Sequence, residues 1–237
     1  MSELILVPTP IQDDLPLEPK ALEMLMRDAL DPKVLILVEE HKIGRQRWLK
    51  WGLPREAIEK FILFNEHTQE KIQNDVIKEI KSGKRAYLMS DCGLPAFCDP
   101  GQLLVDACHK QRIKVTATPY PNSISLAVAL SGFNHNTFVF SGFVPVKEPE
   151  RGDWMKKELK RPETIIWMET PYRLRKLLDD LGKLNSDREV FLGCDLGGAT
   201  ELLLRGNCGS IIKSLGENDK REFVMVIAPQ SHSKSTK

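Results

Sequence analysis

Three turn-rich segments contain the residues best suited to bind a ligand. They are residues 7–11 (VPTPI), residues 90–101 (SDCGLPAFCDPG) and residues 121–124 (PNSI), and each comes after a predicted strand. Open α/β sheets bind ligands beyond the carboxyl ends of their strands, so this placement favours a binding function. Taken singly, each segment is a turn, and Asp99 is a helix cap. Together they indicate a site, because a long, semi-rigid loop after a central strand is unusual unless something binds against it.

Two acidic residues are candidates for a general base that removes the proton of an attacking hydroxyl. Glu39 follows the second predicted strand, beside Glu40 and His41, and Glu66 lies in an Asn-Glu-His turn with His67. The alternative is that Glu39 and Glu66 begin helices and stabilise the N-termini of those helices through the dipole. We favour this alternative, so the catalytic residue stays unassigned.

Several common catalytic and cofactor motifs are missing from the sequence. It has no G-x-G-x-x-G after the first strand, no Walker-type phosphate loop and no G-x-S-x-G. The five cysteines form no close pair and the five histidines are scattered, which argues against metal-dependent chemistry. An odd number of cysteines without such pairs is typical of reduced thiols in the cytosol. We therefore expect a cytoplasmic protein with no metal.

Length and charge limit the classes of protein that fit this chain. Its 237 residues lie between one large domain and two small ones. With 34 basic and 33 acidic side chains the net charge is +1, which excludes a wholly basic coat for nucleic acid but permits local basic patches. No apolar run reaches the roughly 20 residues that cross a bilayer, and the N-terminus lacks the basic region of a signal peptide. We expect no membrane partner.

Short apolar runs alternate with helical patterns along the chain. Strands are predicted at residues 4–7, 34–38, 86–90, 114–117, 137–141, 164–168, 190–194 and 223–227, because each run is short, apolar and bounded by turn residues. A helix is predicted over residues 66–82, and four leucines at helical spacing (174, 177, 178 and 181) predict another. This alternation indicates an α/β fold with mostly parallel sheets.

A proline-rich segment at residues 118–122 is the best candidate for a domain boundary. The split predicts an N-terminal α/β domain over residues 1–117 and a C-terminal α/β domain over residues 118–230. The polar, basic residues 231–237 lack an apolar anchor and are predicted to be a disordered tail.

Three groups of basic residues are candidates for contact with RNA phosphates. They are residues 41–51, where four cations alternate with Trp48 and Trp51, residues 156–161, and residues 173–176. The alternative for the first group is an amphipathic helix whose tryptophans are packed while Arg45, Arg47 and Lys50 are solvated. We favour the alternative for that helix taken by itself.

The ordered segments resemble the tetrapyrrole methylase superfamily, the class III methyltransferases that use S-adenosylmethionine (SAM). The family's TP turn matches Thr9-Pro10, its SDAGTPGISDPG loop matches residues 90–101, and its PGPSA turn matches residues 119–124. Matches to its SGF, F-x-GF-x-P-x-K and E-[ST]-P-[HY]-R-L segments follow at residues 131–133, 140–147 and 169–174. The likeness covers nearly the whole chain and is closest to the branch of small-subunit ribosomal RNA cytidine 2′-O-methyltransferases.

This resemblance implies two α/β domains with SAM bound in a cleft between them. The SAM contacts that it implies by position are Pro10, Ile11, Asp91, Gly93, Leu94, Ser123, Ile124, Met168 and Asp195, with Val226 as a further neighbour. Among these, Asp91 is the carboxylate placed to pair with a charged group of the cofactor. The implied activity is 2′-O-methylation of a cytidine in small-subunit ribosomal RNA by a homodimer.

The sequence departs from the family pattern at three places. Leu94-Pro95-Ala96 replaces TPG, residues 11–16 replace GNLxD, and residues 194–201 replace a run of the type REL-T-K-x-x-E. These changes leave SAM binding credible and the acceptor open. The alternatives are a C-methyltransferase for a tetrapyrrole of the uroporphyrinogen or precorrin type, and a non-catalytic SAM-binding domain. The basic groups favour RNA over a tetrapyrrole.

Overall fold

The computed structural model describes residues 2–12, 15–120, 122–184, 187–217 and 220–230. The chain divides into two compact units, Met1–Tyr120 and Pro121–Lys237, and each contains its own five-stranded sheet. The predicted tail at residues 231–237 lies outside the described residues. Within the described part of the chain, none of the helices has the length and apolar character needed to span a membrane.

The first unit is a parallel sheet with the strand order β3-β2-β4-β1-β5. Its elements in chain order are β1 Glu3–Val7, α1 Pro19–Asp28, β2 Val34–Val38, α2 His41–Lys50, a 3₁₀ helix Arg55–Lys60, β3 Phe61–Leu63, α3 Gln69–Lys81, β4 Arg85–Met89, α4 Gln102–Lys110 and β5 Lys114–Ala117. The parallel arrangement confirms the prediction for this half of the chain. It also brings the carboxyl ends of β1, β2 and β4 to one edge of the sheet.

Both faces of this first sheet are covered by helices. Ile5 and Val7 of β1 pack in a cluster with residues of α1 and α2, whereas Leu4 packs in a second cluster with residues of α3 and α4. Successive side chains of a strand point to opposite faces, so a strand buried on both sides must be apolar throughout. This explains the unbroken apolar run of Val34–Val38.

The second unit is a mixed sheet with the strand order β6-β7-β10-β8-β9. Its elements are α5 Ser123–Ser131, β6 Phe138–Phe143, α6 Glu150–Glu158, β7 Thr164–Met168, a 3₁₀ helix Pro171–Arg173, α7 Leu174–Lys183, β8 Val190–Cys194, β9 Leu202–Gly206, α8 Cys208–Leu215 and β10 Phe223–Ile227. The leucines of α7 pack with residues of α8 on one face, and α5 packs on the other.

The prediction of mostly parallel strands is wrong for the second sheet, although the α/β class is confirmed. Only β6 and β7 pair in parallel, while β10 runs antiparallel to both β7 and β8, and β9 runs antiparallel to β8. The turn between β8 and β9 contains no helix, so it is too short for the crossover that parallel neighbours require. The three-residue strand β3 and the half-exposed edge strand β9 were missed in the sequence.

One predicted helix boundary is also corrected. Helix α4 begins at Gln102, and the residue at its N-cap is Gly101, without a side-chain hydrogen bond. Asp99 therefore does not cap this helix. Its side chain lies with other carboxylates, as described below.

Candidate functional site

Two of the predicted loops are joined at the carboxyl edge of the first sheet. Prolines 8 and 10 interrupt strand pairing after β1, because proline has no N–H to donate. Between them, Thr9 forms an isolated bridge with Gly93, in which each backbone N–H donates to the other residue's carbonyl at 2.8 and 2.9 Å. The Thr9 hydroxyl donates to the Ser90 carbonyl at 3.1 Å. The bridge holds the loop after β1, with Pro10, against the loop after β4.

The loop after β4 has an unusual backbone. Gly93, Ala96, Cys98 and Gly101 have φ angles of 81°, 65°, 65° and 125°, in the region that favours glycine. At Gly101 the approach is also close, since a Cβ atom there would lie 2.5 Å from Leu88 Cδ2. The abundance of glycine and proline in this segment thus serves a fixed, folded loop.

Three carboxylates gather where this loop meets the end of β2. The backbone N–H of Asp91 donates to Glu39 Oε2 at 3.0 Å. Burial, then the charges of Glu39 and Glu40, raises the pKa of Asp91 to about 6. Burial, with the charges of Glu39 and Asp91, raises the pKa of Asp99 to about 7. Like charges held together in a partly desolvated place create a negative potential that suits a positively charged ligand.

A basic residue of α2 contacts the same loops. Arg47 Nη1 donates to the Pro10 carbonyl at 2.6 Å, and its charge lowers the pKa of Asp91 in part. Trp48, in contrast, is fully buried and donates to the Pro54 carbonyl at 2.8 Å. The alternative of an amphipathic helix with packed tryptophans and solvated cations is therefore correct for Trp48. It is wrong for Arg47, whose side chain is hydrogen-bonded to the loop after β1.

Two residues that the sequence analysis named only as part of the boundary segment 118–122 and the turn at residues 119–124, and not as site residues, lie at or near this edge. Tyr120 hydrogen-bonds to the backbone of Ile11, and burial raises the pKa of its hydroxyl to about 12. Thr118 follows β5 and its backbone N–H donates to the Leu6 carbonyl at 3.0 Å. Among the described residues, the buried Thr118 hydroxyl has no hydrogen-bond partner. No sequence signal distinguishes this threonine, because its orphaned hydroxyl results from packing.

The two acidic candidates have different surroundings, and neither begins a helix. Glu40, rather than Glu39, is the N-cap of α2, and its side chain accepts from the Ile43 N–H. Glu39 instead accepts from Asp91. Glu66 precedes the N-cap of α3, and its side chain is 76% exposed beside His67. The helix-dipole interpretation is therefore wrong for both residues.

The third predicted loop opens helix α5 in the second unit. Ser123 is the first residue of this helix, as predicted. The amides of its first turn are not free, however, because the Asn122 side chain accepts from the N–H groups of Ile124 and Ser125 at 2.9 and 3.2 Å. Asparagine satisfies the helix N-terminus in the usual manner of an N-cap. Ser123 itself is half-buried.

The other residues implied for the second unit are packed or ion-paired. Ile124, Met168 and the fully buried Val226 share one hydrophobic cluster. Asp195 follows β8 with a φ of 49°, and its Oδ2 accepts from Arg221 at 2.6 Å and from the Thr200 hydroxyl at 3.0 Å. The structure thus brings Ile124 and Met168 together and commits the Asp195 carboxylate to an ion pair.

The predicted basic groups of the second unit are partly neutralised. Arg161 pairs with Glu158 at 2.7 Å, and Lys176 pairs with Asp180 at 2.8 Å. Arg173 pairs with the buried Glu169 at 2.6 Å. The residues 173–176 are therefore not the open basic patch that their composition suggests.

Within the described ranges, no group of three or more histidine, cysteine, aspartate or glutamate side chains is arranged to hold a metal ion. All five cysteines are free thiols; Cys108 and Cys194 are buried.

Comparisons with known proteins find relatives along nearly the whole chain. The family model described as Tetrapyrrole (Corrin/Porphyrin) Methylases matches residues 19–212. A ribosomal RNA small subunit methyltransferase I from Thermotoga maritima is 31% identical and covers 92% of this chain and 96% of its own. The protein of the same name from Xylella fastidiosa is 29% identical and covers 94% of this chain and 80% of its own.

Solved structures with a similar fold have much lower sequence identity. A diphthine synthase superposes with a TM-score of 0.64 at 15% identity, covering 96% of this chain and 90% of its own. A uroporphyrin-III-C-methyltransferase from Thermus thermophilus superposes with a TM-score of 0.53 at 16% identity, covering 96% of this chain and 94% of its own. At these identities the likeness supports the fold and leaves the acceptor open.

Proposed function

The chain belongs to the tetrapyrrole methylase family of methyltransferases, and from this premise we propose that it transfers a methyl group from SAM to small-subunit ribosomal RNA. The proposed acceptor is the 2′-hydroxyl of a cytidine. Support for the RNA acceptor comes from curated relatives named for that substrate, which align with 92% and 94% of this chain.

The observation that carries the cofactor assignment is the group of carboxylates formed by Glu39, Asp91 and Asp99. SAM has a positively charged sulfonium and an ammonium group, so it fits an edge of negative potential. The buried, unpartnered hydroxyl of Thr118 is a further polar atom of this unit that a polar ligand would satisfy. We therefore assign Asp91 the pairing with a charged group of SAM.

The remaining proposed contacts follow the positions of the family motif. In the first unit they are Pro10, Ile11, Gly93 and Leu94, which the bridge between Thr9 and Gly93 holds near Asp91. In the second unit they are Ser123, Ile124, Met168 and Asp195. Because the Asp195 side chain is paired with Arg221, its proposed contact is made by the backbone.

When bound, SAM supplies a methyl group that is already activated by the positive sulfur. The protein's contribution is to hold the acceptor oxygen in line with that methyl group and to exclude water. We propose that Glu39 holds the loop at Asp91 through its 3.0 Å hydrogen bond. In this proposal neither Glu39 nor the exposed Glu66 accepts the proton of the acceptor, and the base stays unassigned.

Incubation with radiolabelled SAM tests the proposal. The protein is supplied separately with undermethylated small ribosomal subunits and with uroporphyrinogen. Label in the RNA, located at a cytidine and stable to mild alkali as a 2′-O-methyl group is, supports the proposal. Label in the macrocycle alone would assign a tetrapyrrole acceptor. Calorimetric binding of SAM without transfer to either substrate would indicate a non-catalytic SAM-binding protein.

The proposal also includes a cytoplasmic homodimer that needs no metal. Sedimentation equilibrium of the full chain tests the dimer, and cell fractionation tests its location. Methyl transfer that is unchanged by a strong chelator is the expected result for the absence of a metal.

A further inference from the structure

Tyr172 is exposed to an extent that is unusual for an aromatic residue. Among the exposed large hydrophobic side chains of the described residues, it has the largest exposed fraction, 80%. It lies in the 3₁₀ turn that follows β7. A single exposed ring is common on protein surfaces, so the neighbours of Tyr172 decide whether it belongs to a binding surface.

The turn that carries Tyr172 is anchored by a buried ion-pair network. Glu169 is fully buried at its side chain and accepts from Arg151 at 2.8 Å and from Arg173 at 2.6 Å. It also accepts from the Thr170 N–H at 2.8 Å. The positions on both sides of the tyrosine are thus fixed, so the exposed ring is presented on a rigid support. This rigidity reduces the entropy that a partner must overcome on binding.

A cation lies over the Tyr172 ring. Lys220 Nζ is 5.6 Å from the ring centroid, within the range of a cation–π contact. The neighbouring Arg221 is anchored by Asp195 at 2.6 Å and by the Thr200 carbonyl at 2.7 Å. The lysine is therefore next to a fixed residue, and most of the Tyr172 side chain stays exposed to solvent beside it.

More exposed side chains lie at the same edge of the second sheet. Phe143 ends β6 opposite Met168 at the end of β7, and it is 49% exposed. Val146 and Lys147 follow it and are also exposed. We name Phe143, Val146, Lys147, Tyr172 and Lys220 the Tyr172 surface. It combines apolar side chains with cations, while the nearby carboxylates Glu169 and Asp195 are neutralised by arginines.

We propose that the Tyr172 surface binds an unpaired nucleotide of the RNA acceptor, and this inference rests on the proposed function. The base stacks on the open face of the Tyr172 ring, and the phosphate is contacted by Lys220. Bases splayed out of a helix are recognised by stacking on aromatic rings, and the lysine adds a charge that a nucleic acid complements. A neutral peptide would have no use for the cation above the ring, so the charge favours an anionic ligand, and the RNA is the anion that the proposed function supplies.

Binding of a short RNA to the full chain tests this inference. The probe is a fluorescent 12-nucleotide single strand of mixed sequence, with a duplex of equal length for comparison, read by anisotropy. Tyr172→Ala should weaken single-strand binding by about tenfold, the effect of losing one stacked base. Tyr172→Phe keeps the ring and should bind within about twofold of wild type. Lys220→Ala should weaken binding and reduce its dependence on salt.

The matched control is Phe138→Ala. Phe138 is 45% exposed in the same unit, but it begins β6 and so lies at the opposite edge of the sheet. This variant should bind RNA as the wild type does. SAM affinity and the midpoint of thermal unfolding should be unchanged in all four variants, which shows that they are folded.

Four results would overturn the inference. They are unchanged RNA binding by Tyr172→Ala, an equal loss in Tyr172→Phe, an equal loss in the Phe138 control, and a wild-type dimer that Tyr172→Ala dissociates. The last result would assign the surface to a second copy of the chain. Failure of the proposed function has a different signature, because the wild type would then transfer no label to ribosomal subunits whatever Tyr172 does to RNA binding.

Discussion

Replacing Asp91 with asparagine should stabilise the protein above neutral pH while weakening its binding of SAM. Asparagine has nearly the same size, and the backbone N–H at this position still donates to Glu39. The substitution removes one charge from a group of three carboxylates. The effect on stability depends only on the structure, whereas the effect on SAM tests the proposed function.

The size of the effect follows from the pKa of Asp91, which burial and neighbouring carboxylates raise to about 6. An exposed aspartate has a pKa of about 4, and a shift from about 4 to about 6 would correspond to about 3 kcal/mol for a group without solvent screening. Asp91 is only half-buried, and solvent screening reduces this to about 1 kcal/mol. Because the folded state holds the proton more tightly than the unfolded state, wild-type stability falls as the pH rises from about 4 to about 6. The Asp91→Asn variant has no titrating carboxyl group at this position, so this fall in stability is absent from it over the same pH range.

Urea denaturation of the two proteins measures the difference in the free energy of unfolding. We expect the variant to be more stable by about 1 kcal/mol at pH 8 and equal to wild type near pH 4. The control is Asp75→Asn in α3, whose side chain is 73% exposed and which should show no gain at pH 8. A difference that is the same at both pH values, or a less stable variant at pH 8, would refute the electrostatic reasoning. Calorimetry at pH 8 should show SAM affinity reduced by about tenfold.

Three further substitutions test the loop and the buried ion pair. Gly101→Ala should lower the free energy of unfolding by about 2–4 kcal/mol, because the new Cβ meets Leu88 at a φ of 125°; an unchanged urea midpoint would contradict the geometry. Ala96→Gly should leave stability unchanged or raise it by up to about 1 kcal/mol, since relief of the positive φ outweighs the added chain entropy; a clear loss in thermal unfolding would disagree. Glu169→Ala should lower the free energy of unfolding by about 3–5 kcal/mol by leaving Arg151 buried without this partner, as urea denaturation would report; the conservative Glu169→Gln should lose less.

The elements of the fold could largely be predicted from local sequence. The runs Val34–Val38 and Phe223–Ile227 are strands because they are short, apolar and bounded by turn residues. The leucines of α7 lie on one buried face, as their helical spacing predicts. The direction of a strand is a different matter. Nothing in the composition of β10 indicates that it inserts antiparallel between β7 and β8.

The candidate site divides in the same way. Turn residues marked the loops after β1 and β4, since proline and glycine act on their own backbone. The contact between Glu39 and Asp91 joins residues 52 positions apart, and Asp99 looked like a cap for the helix that follows it. The sequence does not show whether a carboxylate is solvated or lies close to other carboxylates. The contact of Glu39 with Asp91 and the place of Asp99 beside them could therefore not be predicted.

The amino-acid sequence by itself determined the family, the α/β class, most strands and the loops that carry the candidate site. These features depend on short-range chemistry: side-chain periodicity, the missing N–H of proline and the backbone freedom of glycine. Tertiary structure alone decided which charges are neutralised and which are concentrated. The positive charges of Arg173 and Lys176 are neutralised by carboxylates that pair with them, while burial and neighbouring carboxylates raise the pKa values of Asp91 and Asp99. Charge interactions act through space between residues distant in the chain, and their strength depends on burial.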